Sequence, residues 1–132
     1  MRLDQFQTKA EAIAWLRKGN DFSAKEAENY LRKHLPKESY YQDKIIKFIQ
    51  KTYPTAFVWK AAAGAYSRQG IPDVCAVIGG RYYGFEVKRP YIGVLSKIQE
   101  QTIDRIRAAG GVAAVVTFQE EVQRIVEGTQ HA

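Results

Sequence analysis

The chain has 132 residues, 45% of them hydrophobic and 26% charged, the proportions of an ordinary globular domain with length enough for one sizeable core. It carries 20 Lys or Arg against 14 Asp or Glu, a net charge of +6. No apolar run approaches the roughly 18 residues of a membrane span, and the charges at Arg2, Asp4, Lys9 and Glu11 do not fit a secretory signal.

A single cysteine, Cys75, excludes a disulfide or a cysteine zinc cage within the chain and suits a reducing cytosol. The positive charge is localised. Residues 37–97 hold ten Lys or Arg and four acids, an excess of six, while the rest of the chain balances. Three of those four acids are Glu38, Asp73 and Glu86. A basic surface around a small acidic cluster suits a phosphate-rich polymer brought to a metal ion.

In chain order, Thr8 to Lys18 reads as a helix stopped by Gly19 and Asn20. A second helix opens at Ser23, whose spacing to Glu26 makes a capping box. Its stripe of Ala27, Leu31 and His34 predicts a packing face against the domain or a second subunit. His34 has no partner at ligand spacing and reads as structural. His131 falls in the C-terminal tail.

Pro36 precedes a third helix, Lys37 to Lys51. At about 100° per residue, Tyr41, Ile45, Ile46, Phe48 and Ile49 form an apolar arc of about 160° centred near Glu38, with Gln42 on the same face. An acid in line with a core-facing stripe is costly unless it has a task. The bland reading is that the first turn overhangs the core and Glu38 favours the helix dipole.

Ala56 to Lys60 reads as a strand pairing with Val74 to Ile78, and Ala61 to Gln69 as a loop. Gly79 and Gly80 then join Val74–Ile78 to a strand over Arg81–Val87, a strong hairpin signal because both link positions tolerate positive φ. Counting outward, Ile78 faces Arg81 and Asp73 faces Glu86. Opposed residues share one side of a sheet with Cβ atoms about 4.5–5.5 Å apart, and alternation brings Lys88 to the same side. Two readings are open here. A divalent cation relieves the repulsion of the two acids, or Lys88 bridges both at an exposed hairpin end.

A loop from Arg89 to Gly93 leads to Ser96, which with Gln99 forms a second capping box. The helix it opens runs to about Ala109, with Leu95, Ile98, Thr102, Ile103 and Ile106 on its apolar side. A strand over Val112–Thr117, reached by this helical crossover, is predicted parallel to its neighbour. The last helix, Glu120 to Glu127, packs through Val122, Ile125 and Val126. The fold class is α/β (α+β): two N-terminal helices over residues 1–35, then an αβββαβα core over 36–132 with a mixed central sheet.

Glu38 on a leading helix, Gly70-Ile71-Pro72-Asp73, Glu86-Val87-Lys88 and the later Leu95-Ser96 and Gln99 resemble the PD-(D/E)XK nuclease superfamily, and most closely its small stand-alone VRR-Nuc family. The likeness runs from about Glu38 to Val126. It implies a divalent-metal-dependent endonuclease with Asp73 and Glu86 as metal ligands, the Val87 backbone carbonyl as a third, and Glu38 completing the shell directly or through water. It implies Mg²⁺, with Mn²⁺ able to substitute, and no small-molecule cofactor. Lys88 would orient water and offset phosphate charge. Gln99 would contact Lys88, water or phosphate, although the capping box alone also explains it. Lys60, Arg68, Arg89 and Lys97 are the candidate nucleic-acid contacts in the basic segment. The implied substrate is branched DNA such as a four-way junction, cut by a homodimer in the cytoplasm of a bacterial or phage-infected cell. The rivals are a catalytically silent nucleic-acid-binding module and a restriction-type or RNA-directed nuclease.

Overall fold

The computed structural model describes residues 2–62 and 69–130. Its elements run α1 (Lys9–Gly19), α2 (Ala24–His34), α3 (Glu38–Thr52), β1 (Phe57–Lys60), β2 (Val74–Ile78), β3 (Arg81–Val87), α4 (Lys97–Ala108), β4 (Val112–Val116) and α5 (Gln119–Thr129). The expected order is found, with ends displaced by a residue or two. Four strands form one mixed sheet in the order β1-β2-β3-β4. β1 pairs antiparallel with β2 and β2 with β3, while β4 joins β3 in parallel after the α4 crossover. No helix among the described residues is long and apolar enough to cross a membrane.

The two faces of the sheet have different covers. Val74, Ala76, Ile78, Tyr83, Phe85, Val87 and Val116 point to one face, where Tyr41, Ile45 and Ile49 of α3 and Val122 and Val126 of α5 close over them. Each fully buried aliphatic side chain here contributes roughly 1.5–3 kcal/mol. Among the described residues the other face carries α4, packed over β3 and β4. There Ile103 is buried, while Ile98, expected on the apolar side, is 44% exposed because it sits in the first turn, near the helix end.

The hairpin turn is as counted. Gly79 and Gly80 have φ of 56° and 80°, a left-handed pair that other residues adopt only with strain.

The N-terminal helices build a smaller core of their own. Ala12 and Leu16 of α1 meet Ala27 and Leu31 of α2, with Leu35 and Ile92 completing the cluster. The stripe on α2 is thus covered from within the chain, by α1 and the segment after β3. His34 lies outside this core with its ring 4.1 Å from that of Tyr30. Two polar ties join the small core to the larger one. Buried Asp4 accepts hydrogen bonds from the Tyr41 hydroxyl and from Arg2, each at 3.0 Å. Arg89 donates from Nε to the Pro36 carbonyl and from one terminal nitrogen to the carbonyls of Arg32 and Leu35, all at 2.9 Å. Carbonyls at a helix C-terminus lack intrahelical donors, and a guanidinium satisfies several at once.

Replacing Arg89 by Ala leaves these acceptors unpaired and is expected to lower stability by about 1–3 kcal/mol. Urea unfolding of Arg89→Ala beside Lys97→Ala checks this, since Lys97 is exposed and its loss is expected to be nearly neutral.

Candidate functional site

Hairpin pairing sets the site. The ladder runs from Ile78 facing Arg81 to Val74 facing Phe85. One step further out, Asp73 and Glu86 fall on the side opposite the large core. The Asp73 carboxylate accepts a hydrogen bond from the Val87 amide at 3.0 Å, which fixes it beside the β3 strand. The turn feeding Asp73 into the sheet depends on Gly70, whose φ is +83°. A Cβ there would lie 2.7 Å from Thr102 Oγ1 and 2.8 Å from the Ile98 carbonyl, so only glycine lets the turn seat against α4.

Glu86 is 1% exposed. Its Oε1 accepts from Gln99 Nε2 at 2.6 Å and lies 3.7 Å from Lys88 Nζ. Among the described residues no donor group reaches its Oε2, and the neighbouring Asp73 carboxyl can bond it only through a shared proton. Burial, and after it the Asp73 carboxylate, push the Glu86 pKa up to about 8 against the pull of Lys88. A buried carboxylate with one unpartnered oxygen, next to a second acid, needs a proton or a cation between them. Lys88 bridges one oxygen of Glu86 and leaves that need unmet.

Glu38 enters from α3. Its pKa is raised by burial first and by Asp73 second, while Lys88 and Arg89 oppose, so it lies in the field of the same cluster. Gln42 Nε2 stands 3.5 Å from Glu38 Oε1, at the long limit of a hydrogen bond. Among the described residues, no three His, Cys, Asp or Glu side chains gather closely enough to hold an ion by themselves. A cation here would take two carboxylates and complete its shell with backbone or water oxygens, as Mg²⁺ commonly does. The donor set fits such an ion.

Gln99 forms its capping box and reaches Glu86, rather than making the Lys88 contact the resemblance implied. Its amide and Oε1 form the capping box with Ser96, at 3.2 and 2.9 Å, while its Nε2 reaches Glu86. Capping orients the side chain so that the free end of the amide holds the acid. Thr117, which ends the sequence-predicted strand, donates from its hydroxyl to the Lys88 carbonyl at 2.9 Å. Only the parallel pairing of β3 with β4 brings these two residues together, and composition carries no signal of that register.

The four expected nucleic-acid contacts diverge. Lys97, first in α4, is exposed. Lys60 ends β1 on the large-core side and pairs with exposed Asp43 at 3.5 Å, a surface ion pair of little energetic weight. Arg89 turns two of its three nitrogens onto chain carbonyls. Arg68, with most of the Ala61–Gln69 loop, lies outside the described residues, as does His131.

The Glu86 shift has a definite sign. An unfolded glutamate loses its proton near 4.5, whereas the folded one keeps it to about 8. Between those values the unfolded chain binds fewer protons, so metal-free stability falls as pH rises. Glu86→Gln removes this penalty. In chelator at pH 8.5 its Tm is expected to exceed that of the wild type by several degrees, and near pH 4 the two should coincide. Calorimetry at both pH values is the check.

No family model and no curated protein matches the sequence. Among solved structures the chain is similar to one described as a VRR_NUC domain, at 21% identity and a TM-score of 0.53. That likeness covers 67% of this chain and 97% of the other. The chain has the fold of a VRR_NUC domain.

Proposed function

We propose that this chain is a nuclease of the VRR-Nuc family, hydrolysing phosphodiester bonds in DNA with a divalent metal, Mg²⁺ or Mn²⁺. The observation that carries this reading is the buried Glu86 with one unpartnered oxygen, set beside Asp73 and flanked by Lys88 and Gln99. A structural ion pair would satisfy both oxygens of a buried acid. Among the described residues this one has an oxygen that only a proton shared with Asp73 or a cation can satisfy.

Asp73, Glu86 and the Val87 carbonyl would hold the cation, with Glu38 joining through water. The ion would lower the pKa of a bound water and polarise the phosphoryl oxygen. Lys88, held by Glu86 and by Thr117 behind it, places a fixed cation near the phosphate and offsets the charge that grows on it. Gln99 keeps the Glu86 carboxylate from rotating away. Glu38 supplies an acceptor for a water proton at the rim. Its raised pKa moves it towards the range useful for proton exchange.

Branched DNA and a homodimer with two sites complete the proposal, because a two-fold dimer matches the symmetry of a four-way junction. Duplex, flap, junction, single-stranded DNA and RNA, each incubated with Mg²⁺ or Mn²⁺, discriminate among substrates. Asp73→Asn and Lys88→Ala are each expected to cut at least about 100-fold more slowly than wild type. Wild-type-like cutting by Asp73→Asn sinks the site, and binding without cutting on every substrate makes the protein a silent binding module. Affinity should fall steeply with salt as phosphate counterions are released. Lys97→Ala is expected to reduce the slope of log K against log salt by about one, measured by titration in chelator.

A further inference from the structure

Strand β1 carries an aromatic pair that the catalytic reading does not use. Phe57 and Trp59 are 68% and 37% exposed, with ring centroids 5.4 Å apart. Val58 between them packs into the large core, so the two rings point to the opposite face, the face of Asp73 and Glu86. Register places them. Trp59 pairs with Cys75 and Phe57 with Val77, and the Ala61 amide bonds the Asp73 carbonyl at 2.8 Å, extending the ladder one step. Trp59 is therefore the diagonal neighbour of Asp73, a separation of about 7–8 Å. Phe57 lies two residues beyond it. No helix among the described residues covers this part of the face.

We propose that Phe57 and Trp59 are a stacking platform for unpaired nucleobases beside the phosphate to be cut, so that the substrate must present a single-stranded or splayed segment. This rests on the nuclease reading and narrows its substrate class. A base offers a π-face of the size of these rings, and its backbone is anionic, complementing Lys88, which stands 3.7 Å from Glu86 on the same face. A second copy of the chain is the other candidate occupant. The exposed parts of Phe57, Trp59 and Val77 amount to an area on the order of 300 Å², well below the roughly 800 Å² per partner that a stable interface buries. The patch fits two bases better than a subunit.

The sequence has two tryptophans, so Trp15→Phe leaves Trp59 as the sole indole. Titrating this variant in chelator with oligodeoxythymidine is expected to quench Trp59 emission, while a blunt duplex of equal length leaves it nearly unchanged. Phe57→Ala/Trp59→Ala should bind oligodeoxythymidine roughly 10- to 100-fold more weakly, with duplex affinity within about twofold. Trp59→Phe should keep most of the binding and Trp59→Leu lose it, since leucine is apolar without a ring face. Binding without quenching, an equal loss on both DNAs, or Trp59→Leu binding like wild type overturns the platform. So does sedimentation showing the double variant turned from dimer to monomer at unchanged DNA affinity. Cleavage with Mg²⁺ is scored separately. Cutting without quenching sinks only the platform, and quenching without cutting of any substrate sinks only the nuclease reading.

Discussion

Two acids facing each other across an antiparallel pair define this molecule. Asp73 and Glu86 are brought together just past the end of the β2–β3 ladder, in an arrangement that their own charges oppose. Like charges so placed weaken a sheet by an amount comparable to a good cross-strand pair. The arrangement persists because the surroundings over-determine it. The Gly79-Gly80 turn fixes the register, the Val87 amide holds Asp73, and Gln99 holds Glu86. A perturbed, buried acid pair in an otherwise well-packed sheet is the kind of place where functional sites are found.

The sheet keeps its apolar core and its charged cluster on opposite faces. Along β3, Phe85 and Val87 enter a closed apolar core while Glu86 and, just past the strand, Lys88 enter the polar cluster. Each is one residue from the other set, so a one-residue slip would bury the lysine and expose the core. The rigid side, packed by α3 and α5, is what allows the other side to hold groups in an unfavourable electrostatic arrangement. α3 serves both, with Ile45 and Ile49 in the core and Glu38 at the rim.

Much of this was legible in the sequence because it follows from integers. A two-residue turn and a side-chain period of two place Asp73 opposite Glu86 with no further information, and a period of 3.6 puts Glu38 in line with Tyr41, Ile45 and Ile49. What depends on distant packing was not legible. A basic residue after the Glu86-Val87-Lys88 strand looks the same whether its guanidinium meets phosphate or helix carbonyls, and Arg89 meets carbonyls. The stretch from Phe57 to Trp59 is apolar throughout, so pattern alone cannot say which face is covered. The structure covers Val58 and leaves the rings open. Ile98 matched the helical stripe yet stands exposed, because it sits in the first turn of α4, near the helix end.

The clasp of Arg89 makes the first two helices a brace for the strand end. Arg89 follows Lys88 directly, and its side chain grips the end of α2 and the entry to α3. Any tilt of the helical pair pulls on the peptide next to the lysine. The position of the lysine and the packing of the helical pair are therefore set by the same guanidinium.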